Sequence, residues 1–269
     1  MIDLVMWTKD AGDYFPLVLK RINDVIPSNC VHRKILVDDD SSDLTTFIAS
    51  VFGWEIHNNH HGGISHGANQ ALKLVDCNYF CSFEQDVLLS LNWWKSVSTK
   101  ILEGYAACSG VRFLPENNFF VNIDRYLKTR HKHNFGKTLD NTIYRTEAVR
   151  AIGGFPILQF AGVDTLLAEL FHKSGLKWFV AFDVESLHLH EGFFNELKHY
   201  YFYGKSYFDV YRKNLSVAYL IADTLRSFAF SPFRVVHSMH DVRLFLSYPL
   251  FRFAYNLGVL KGKRLIYVK

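Results

Sequence analysis

Two short runs of acidic side chains each follow an apolar stretch. Glu84-Gln85-Asp86 comes directly after Asn78-Tyr79-Phe80-Cys81-Ser82-Phe83. Successive side chains of an extended chain alternate, so Glu84 and Asp86 point the same way. Such a pair can hold a hard divalent cation, which takes oxygen ligands and offsets the charge of a diphosphate. Asp38-Asp39-Asp40 follows Arg33-Lys34-Ile35-Leu36-Val37. These carboxylates can accept hydrogen bonds from a nucleotide base or ribose, or can cap a helix that follows the turn. Asp164, within Gly162-Val163-Asp164-Thr165, opens an apolar helical pattern. The helix dipole favours a carboxylate there, so Asp164 reads either as a cap or as a general base. His60-His61, His131-x-His133 and His188-x-His190 have no cysteines at metal spacing, which argues against structural zinc. Gly62-Gly63 lets the backbone pass close to a ligand, or simply makes a turn.

These residues need elements to position them. Residues 2–7, 33–37, 54–57 and 78–83 read as strands. Between them, residues 14–25 and 44–52 have helical periodicity, and Ser65 can cap a helix running to Leu74. Strand–helix alternation predicts an α/β fold with a mostly parallel sheet and helices on both faces. Ligands of such sheets bind outside the carboxyl ends of the strands. Thr8, Asp38 to Asp40 and Glu84 to Asp86 therefore converge on one crevice. Beyond Asp86, helices are expected over residues 93–102, 147–152 and 163–173, and strands over 105–113, 141–145 and 178–182. Residues 115–140 are polar, basic and aromatic, and read as a loop. From Phe193 the chain is helical and aromatic, punctuated by Pro232 and Pro249.

A chain of 269 residues, 49% hydrophobic and 21% charged, has ample core and is no disordered segment. No uncharged apolar run approaches the roughly 18 residues of a membrane-spanning helix. The start, MIDLVMWTKD, lacks a signal-peptide pattern. Cys30, Cys77, Cys81 and Cys108 form no CxxC pair and read as reduced, mostly buried thiols of a cytoplasmic protein. The net charge of +4 conceals a split. Residues 1–196 carry 18 Lys+Arg against 23 Asp+Glu, whereas residues 197–269 carry 12 Lys+Arg, 3 Asp and 17 aromatics. Interleaved basic and aromatic residues fit the anionic cytoplasmic face of a membrane better than nucleic acid; the plain alternative is a solvated helical cap.

In order and spacing, these pieces resemble the inverting family 2 glycosyltransferases with a GT-A fold. Val5 to Asp10 is similar to the family's opening strand and loop, and Leu36 to Asp43 to its "VVDDGSTD". Gly62-Gly63-Ile64-Ser65-His66-Gly67-Ala68-Asn69 resembles its Gly-rich stretch ending in Asn, and Phe83 to Asp86 takes the place of its Asp-x-Asp. Tyr144 to Ala148 with Ile152 to Phe155 is similar to "RREA…IGGF", Gly162 to Leu167 to "GEDxxL", and His188 to the histidine after the last sheet strand. The likeness covers roughly residues 1–200.

The resemblance implies a GT-A domain over residues 1–192, with a nucleotide-sugar half (1–112) and an acceptor half (113–192). A helical extension follows over 193–269. It implies Thr8, Asp10, Asp39, Gly63, Asn69, Glu84 and Gln85 for the nucleotide sugar, Asp86 and His188 for Mn²⁺ or Mg²⁺, and Asp164 as catalytic base. The implied activity is transfer of a sugar from a UDP- or GDP-linked donor to an acceptor hydroxyl on a lipid-linked or cell-surface glycan. Alternatives are transfer onto a polyprenyl phosphate, or a degenerate member that binds nucleotide sugar or glycan without turnover. Three departures stand out: Glu84 replaces an Asp, Asp40 a Gly, and Val163 a Glu.

Overall fold

The computed structural model describes residues 1–130, 136–189, 192–234 and 245–262. The chain forms two compact units. One comprises Met1–Phe113, Asn134–Ile157 and Val163–Leu189; the other comprises Leu114–His133, Leu158–Gly162 and His190–Lys269. The strands are β1 (Ile2–Thr8), β2 (Val31–Asp38), β3 (Glu55–Asn58), β4 (Tyr79–Phe83), β5 (Val87–Leu88), β6 (Ala107–Phe113), β7 (Thr142–Arg145) and β8 (Trp178–His188). The helices are α1 (Phe15–Val25), α2 (Thr45–Val51), α3 (Ile64–Leu74), α4 (Trp93–Leu102), α5 (Val121–Arg130), α6 (Thr146–Ala151), α7 (Val163–Lys173), α8 (Phe193–Lys205), α9 (Tyr207–Tyr211), α10 (Val217–Arg234) and α11 (Ser247–Gly262).

All eight strands belong to one sheet of the first unit, in the order β3-β2-β1-β4-β7-β6-β8-β5. The pairs β1–β2, β1–β4, β2–β3 and β6–β8 are parallel. The pairs β4–β7, β6–β7 and β5–β8 are antiparallel. All seven residues of β1 are buried, as expected of an inner parallel strand covered on both faces. Phe15, Val18, Leu19 and Ile22 form the buried stripe of α1 at helical spacing. They meet Leu4, Met6, Leu36, Phe83 and Trp93 in the main core. Asp3 is buried at the opposite end of β1 from Thr8, where it accepts the backbone N–H groups of Asp76 and Cys77 at 2.7 and 3.0 Å. Burial alone would raise its carboxyl; those bonds and His32 outweigh it and hold the carboxyl below its ordinary value.

β8 is longer than the sequence suggests and carries an irregularity. Gly110 of β6 is in register with Ala181, but the next residue, Val111, is in register with Glu185. Residues 182–184 thus interrupt the ladder, as in a bulge. Residues 121–130, expected within a loop, are helical. Phe120, Val121 and Ile123 bury their side chains in an aromatic cluster of the second unit with Tyr248 and Phe251, and that burial outweighs the polar composition around them. Ser65 does not cap α3. It lies buried inside the helix, whose N-cap is Gly63 at φ 79°, a backbone conformation suited to glycine. All four cysteines are unpaired; Cys81 and Cys108 are buried, while Cys30 and Cys77 are half-exposed. Among the described residues, no helix is long and apolar enough to cross a membrane.

Candidate active site

Parallel strands β1, β2 and β4 end on the same edge of the first unit, and the acidic runs follow them. Asp38 is tied inward, because its carboxylate accepts the backbone N–H of Ser41 at 2.9 Å and the Ser41 hydroxyl at 2.5 Å. That frees Asp39 to face the α3 end. The backbone N–H of Gly63 donates to both Asp39 oxygens, at 3.2 and 3.1 Å, and the Asp39 N–H donates to the Thr8 carbonyl at 2.8 Å. Asp40, where the family pattern has Gly, takes up left-handed backbone at φ 61°, a conformation Asp tolerates better than most residues. Asp10 is also left-handed, at φ 44°, and its carboxylate accepts the Ser42 N–H at 2.8 Å and the Ser42 hydroxyl at 3.1 Å. The β1 loop and the β2 turn are thereby one hydrogen-bonded body around Thr8, Asp10 and Asp39.

Gln85 joins β4 to that body. The Thr8 hydroxyl and the Lys9 N–H (3.0 Å) both donate to Gln85 Oε1, and Gln85 Nε2 donates to the Lys9 carbonyl at 3.0 Å. Its amide acts on the loop backbone. Asn69 likewise holds chain to chain: Nδ2 donates to the carbonyls of Ser65 (2.9 Å) and Phe155 (2.8 Å), and Oδ1 accepts the Phe155 N–H at 2.9 Å.

Glu84 and Asp86 diverge in their partners. Glu84 forms an ion pair with Arg112 Nη1, which also lies 2.9 Å from Asp140 Oδ1. Asp86 Oδ2 lies 3.3 Å from His188 Nε2. β8 delivers that histidine: His188 is in register with Val87 of β5, and the Leu189 N–H donates to the Asp86 carbonyl at 2.8 Å. One ligand atom from each of Glu84, Asp86 and His188 lies within 4.8 Å of the others. Two carboxylates and an imidazole nitrogen form a donor set suited to Mn²⁺ or Mg²⁺.

Arg112 and Asp140 were not among the residues singled out from the sequence. Arg112 lies one residue before the end of β6, so the strand-end rule would have found it had it been applied to bases as well as acids. Asp140 is fully buried, and among the described residues neither of its oxygens makes a hydrogen bond. Burial pushes its carboxyl up to about 8, against the opposing pull of Arg112. Asp164 sits in the first turn of α7, and its Oδ1 accepts the Thr165 N–H at 2.8 Å. It keeps an open face, yet the protein around it raises its carboxyl; the Thr165 N–H and the charge of Arg112 oppose that rise. Arg112 therefore reaches Glu84, Asp140 and, electrostatically, Asp164. His131, His133 and His190 lie outside the described residues.

Comparison with known proteins bears on the fold and the family. Solved structures that share the GT-A fold include the following three. A mannosyltransferase, PcManGT from Pyrobaculum calidifontis in complex with GDP-Man and Mn²⁺, aligns with a TM-score of 0.62 at 13% identity over 100% of this chain and 80% of its own. Glucosyl-3-phosphoglycerate synthase from Mycobacterium tuberculosis, in complex with Mg²⁺ and uridine diphosphate, aligns at 0.57 and 15% over 74% and 75%. S. aureus TarS (residues 1–349) in complex with UDP-GlcNAc aligns at 0.56 and 14% over 100% and 93%. No curated protein matched the sequence. The family model for glycosyl transferase family 2, however, matches residues 4–166, from β1 to the first turn of α7, and the chain belongs to that family.

Proposed function

We propose that this protein transfers a sugar, with inversion, from a UDP- or GDP-linked donor to an acceptor hydroxyl. The observation that supports this most is the Asp86–His188 pair, 3.3 Å apart at the strand ends of a family 2 domain. Asp39, oriented by Gly63, accepts hydrogen bonds from the base or ribose, with Thr8 and Asp10 beside it. Asp86 and His188 would hold Mn²⁺ or Mg²⁺, which would supply positive charge to offset that of the leaving diphosphate. Metal and nucleotide in the solved relatives support this assignment. Asp164 takes the proton of the acceptor hydroxyl as its oxygen bonds to the anomeric carbon and the bond from that carbon to the diphosphate breaks. A carboxyl raised by its surroundings is a better base near neutral pH than a solvated one. The acceptor is a lipid-linked or cell-surface glycan, and the basic aromatic extension brings the enzyme to the anionic cytoplasmic face of the membrane where such acceptors are assembled.

The test is Asp164→Asn, which keeps the size and the Thr165 contact but cannot take a proton at neutral pH. Donor binding is expected to persist while transfer slows by at least about 100-fold, the lower end of general-base contributions. Near-normal turnover with the acceptor would refute the base assignment. Loss of all nucleotide-sugar binding by the unaltered protein, with and without Mn²⁺, would refute the transferase reading itself.

A further inference from the structure

The second unit contains a helical pair with polar side chains between its helices and uncovered apolar stripes outside. α10 and α11 run antiparallel: the Ser231 hydroxyl donates to the Phe245 carbonyl at 2.7 Å, and Asn256 Nδ2 reaches the Leu220 carbonyl at 3.3 Å. The faces they turn to each other are polar. Asp223 Oδ2 accepts Arg252 Nη2 at 2.6 Å and Asn256 Nδ2 at 2.9 Å, and Asn256 Nδ2 also reaches Thr224 Oγ1 at 2.9 Å. Ser227, Ser231 and Asn256 are buried. The outward faces are apolar. On α10, Val217, Ile221, Leu225 and Phe228 follow one another at helical spacing, all exposed, Ile221 by 55% and Leu225 by 64%. On α11, Phe253 and Leu257 continue an exposed stripe from Leu246.

A water-soluble helix pair buries its apolar stripes and solvates its charges. This pair buries Leu220, Tyr248, Phe251 and Val259 but leaves the stripes above uncovered, apolar surface of the kind that marks a partner or a membrane. Charge decides between them. Residues 197–269 carry 12 Lys+Arg against 3 Asp, and Arg212, Lys213, Arg226 and Lys261 are exposed. A second copy of the same face would bring like charges together; an anionic lipid surface would neutralise them. The contact between α8 and α11 is close. A Cβ on Gly204 would stand 2.0 Å from the Tyr255 carbonyl oxygen, and one on Gly258 2.1 Å from that of Tyr201. Close backbone packing at small residues adds to the Tyr200–Phe251 ring stack at 4.8 Å in holding these helices together.

We infer that α10 and α11 lie in the plane of an anionic membrane with Ile221, Leu225, Phe228, Phe253 and Leu257 sunk among the acyl chains. The inference rests on the membrane part of the proposed function and changes its mode, from electrostatic adsorption to insertion. A helix lying in the interface buries its apolar face by about 5–10 Å, so no membrane-spanning segment is needed.

The test is flotation of the full chain with vesicles of phosphatidylcholine and phosphatidylglycerol, at low and high salt, for the unaltered protein and for Ile221→Asp/Leu225→Asp. Insertion predicts flotation that survives high salt in the unaltered protein and falls at least about tenfold for each apolar side chain withdrawn. Nucleotide-sugar binding by the variant serves as the control for folding and should be unchanged. Flotation that high salt abolishes, equally in both proteins, would leave adsorption standing and overturn insertion. No flotation of either protein at low salt would overturn both membrane readings. A dimer in sedimentation that the same substitutions dissociate, without flotation, would assign the face to a second copy. Transfer activity on a soluble acceptor is a separate readout, so failure here leaves the transferase proposal untouched.

Discussion

Asp140→Asn isolates the buried charge behind the candidate metal site. Asp140 is fully buried beside Arg112 and makes no hydrogen bond among the described residues. Its carboxyl is raised from 3.8 to about 8. A raised carboxyl holds its proton in the folded state after the unfolded chain has released its own. Its contribution to stability is therefore complete below about pH 4 and is lost as pH rises to 8. At 1.36 kcal/mol per unit, the full window is worth about 6 kcal/mol, of which about 2 kcal/mol falls between pH 6 and 8. Asn keeps the shape and cannot ionise, so the variant lacks this slope. The assay is urea unfolding of both proteins at half-unit steps from pH 5 to 8.5. Asp164, also raised, is present in both proteins and cancels in the difference. The variant is expected to gain on the wild type by about 2 kcal/mol between pH 6 and 8. Parallel stability profiles would show that Arg112 keeps Asp140 ionised throughout, and would refute the desolvation argument.

Three further outcomes follow from the geometry. Asp86→Ala should abolish the strengthening of nucleoside diphosphate binding by Mn²⁺ in calorimetry; equal affinity for variant and wild type with Mn²⁺ present would remove Asp86 from the metal site. Asp39→Ala should weaken nucleotide binding by about 1–3 kcal/mol, because a buried donor loses its acceptor; normal affinity with lowered Tm would assign Asp39 to the turn alone. Gly204→Ala places a Cβ 2.0 Å from the Tyr255 carbonyl oxygen and should destabilise the α8–α11 packing by about 1–3 kcal/mol, read as a lower Tm; an unchanged Tm would mean that the helices can separate freely.

Much of the first unit is legible in the residues because its strands announce themselves. The apolar runs at β1, β2 and β4 are interrupted by acids at the edge where ligands bind, and α7 begins and ends where its periodicity says, at Val163 and Lys173. Other features have no such signal. β5 is two residues long, Val87–Leu88, and no period can be read from two positions. α5 earns its place by docking Phe120, Val121 and Ile123 rather than by amphipathic spacing. Gln85 and Asn69 read as ligand contacts, but their amides bind backbone across 76 and 86 residues of chain, a pairing that only the folded register creates. Arg112 escaped because a single base inside an apolar strand looks like its solvent-facing position. The Asp223–Arg252–Asn256 link between α10 and α11 is likewise invisible in composition, since only the folded pairing brings those residues together.

The interruption in β8 gives residues 182–184 an importance that their chemistry does not suggest. After it, each successive residue is committed by register: Ser186 beside Arg112, Leu187 beside Leu88, His188 beside Val87. Those three residues set the phase of everything that follows. Loss of one would not delete a site residue, yet it would bring a different side chain to Asp86, because neighbours on a strand face opposite ways. Insertions and deletions at this point are thus functional changes in disguise. Natural variation at residues 182–184 should hold their number constant.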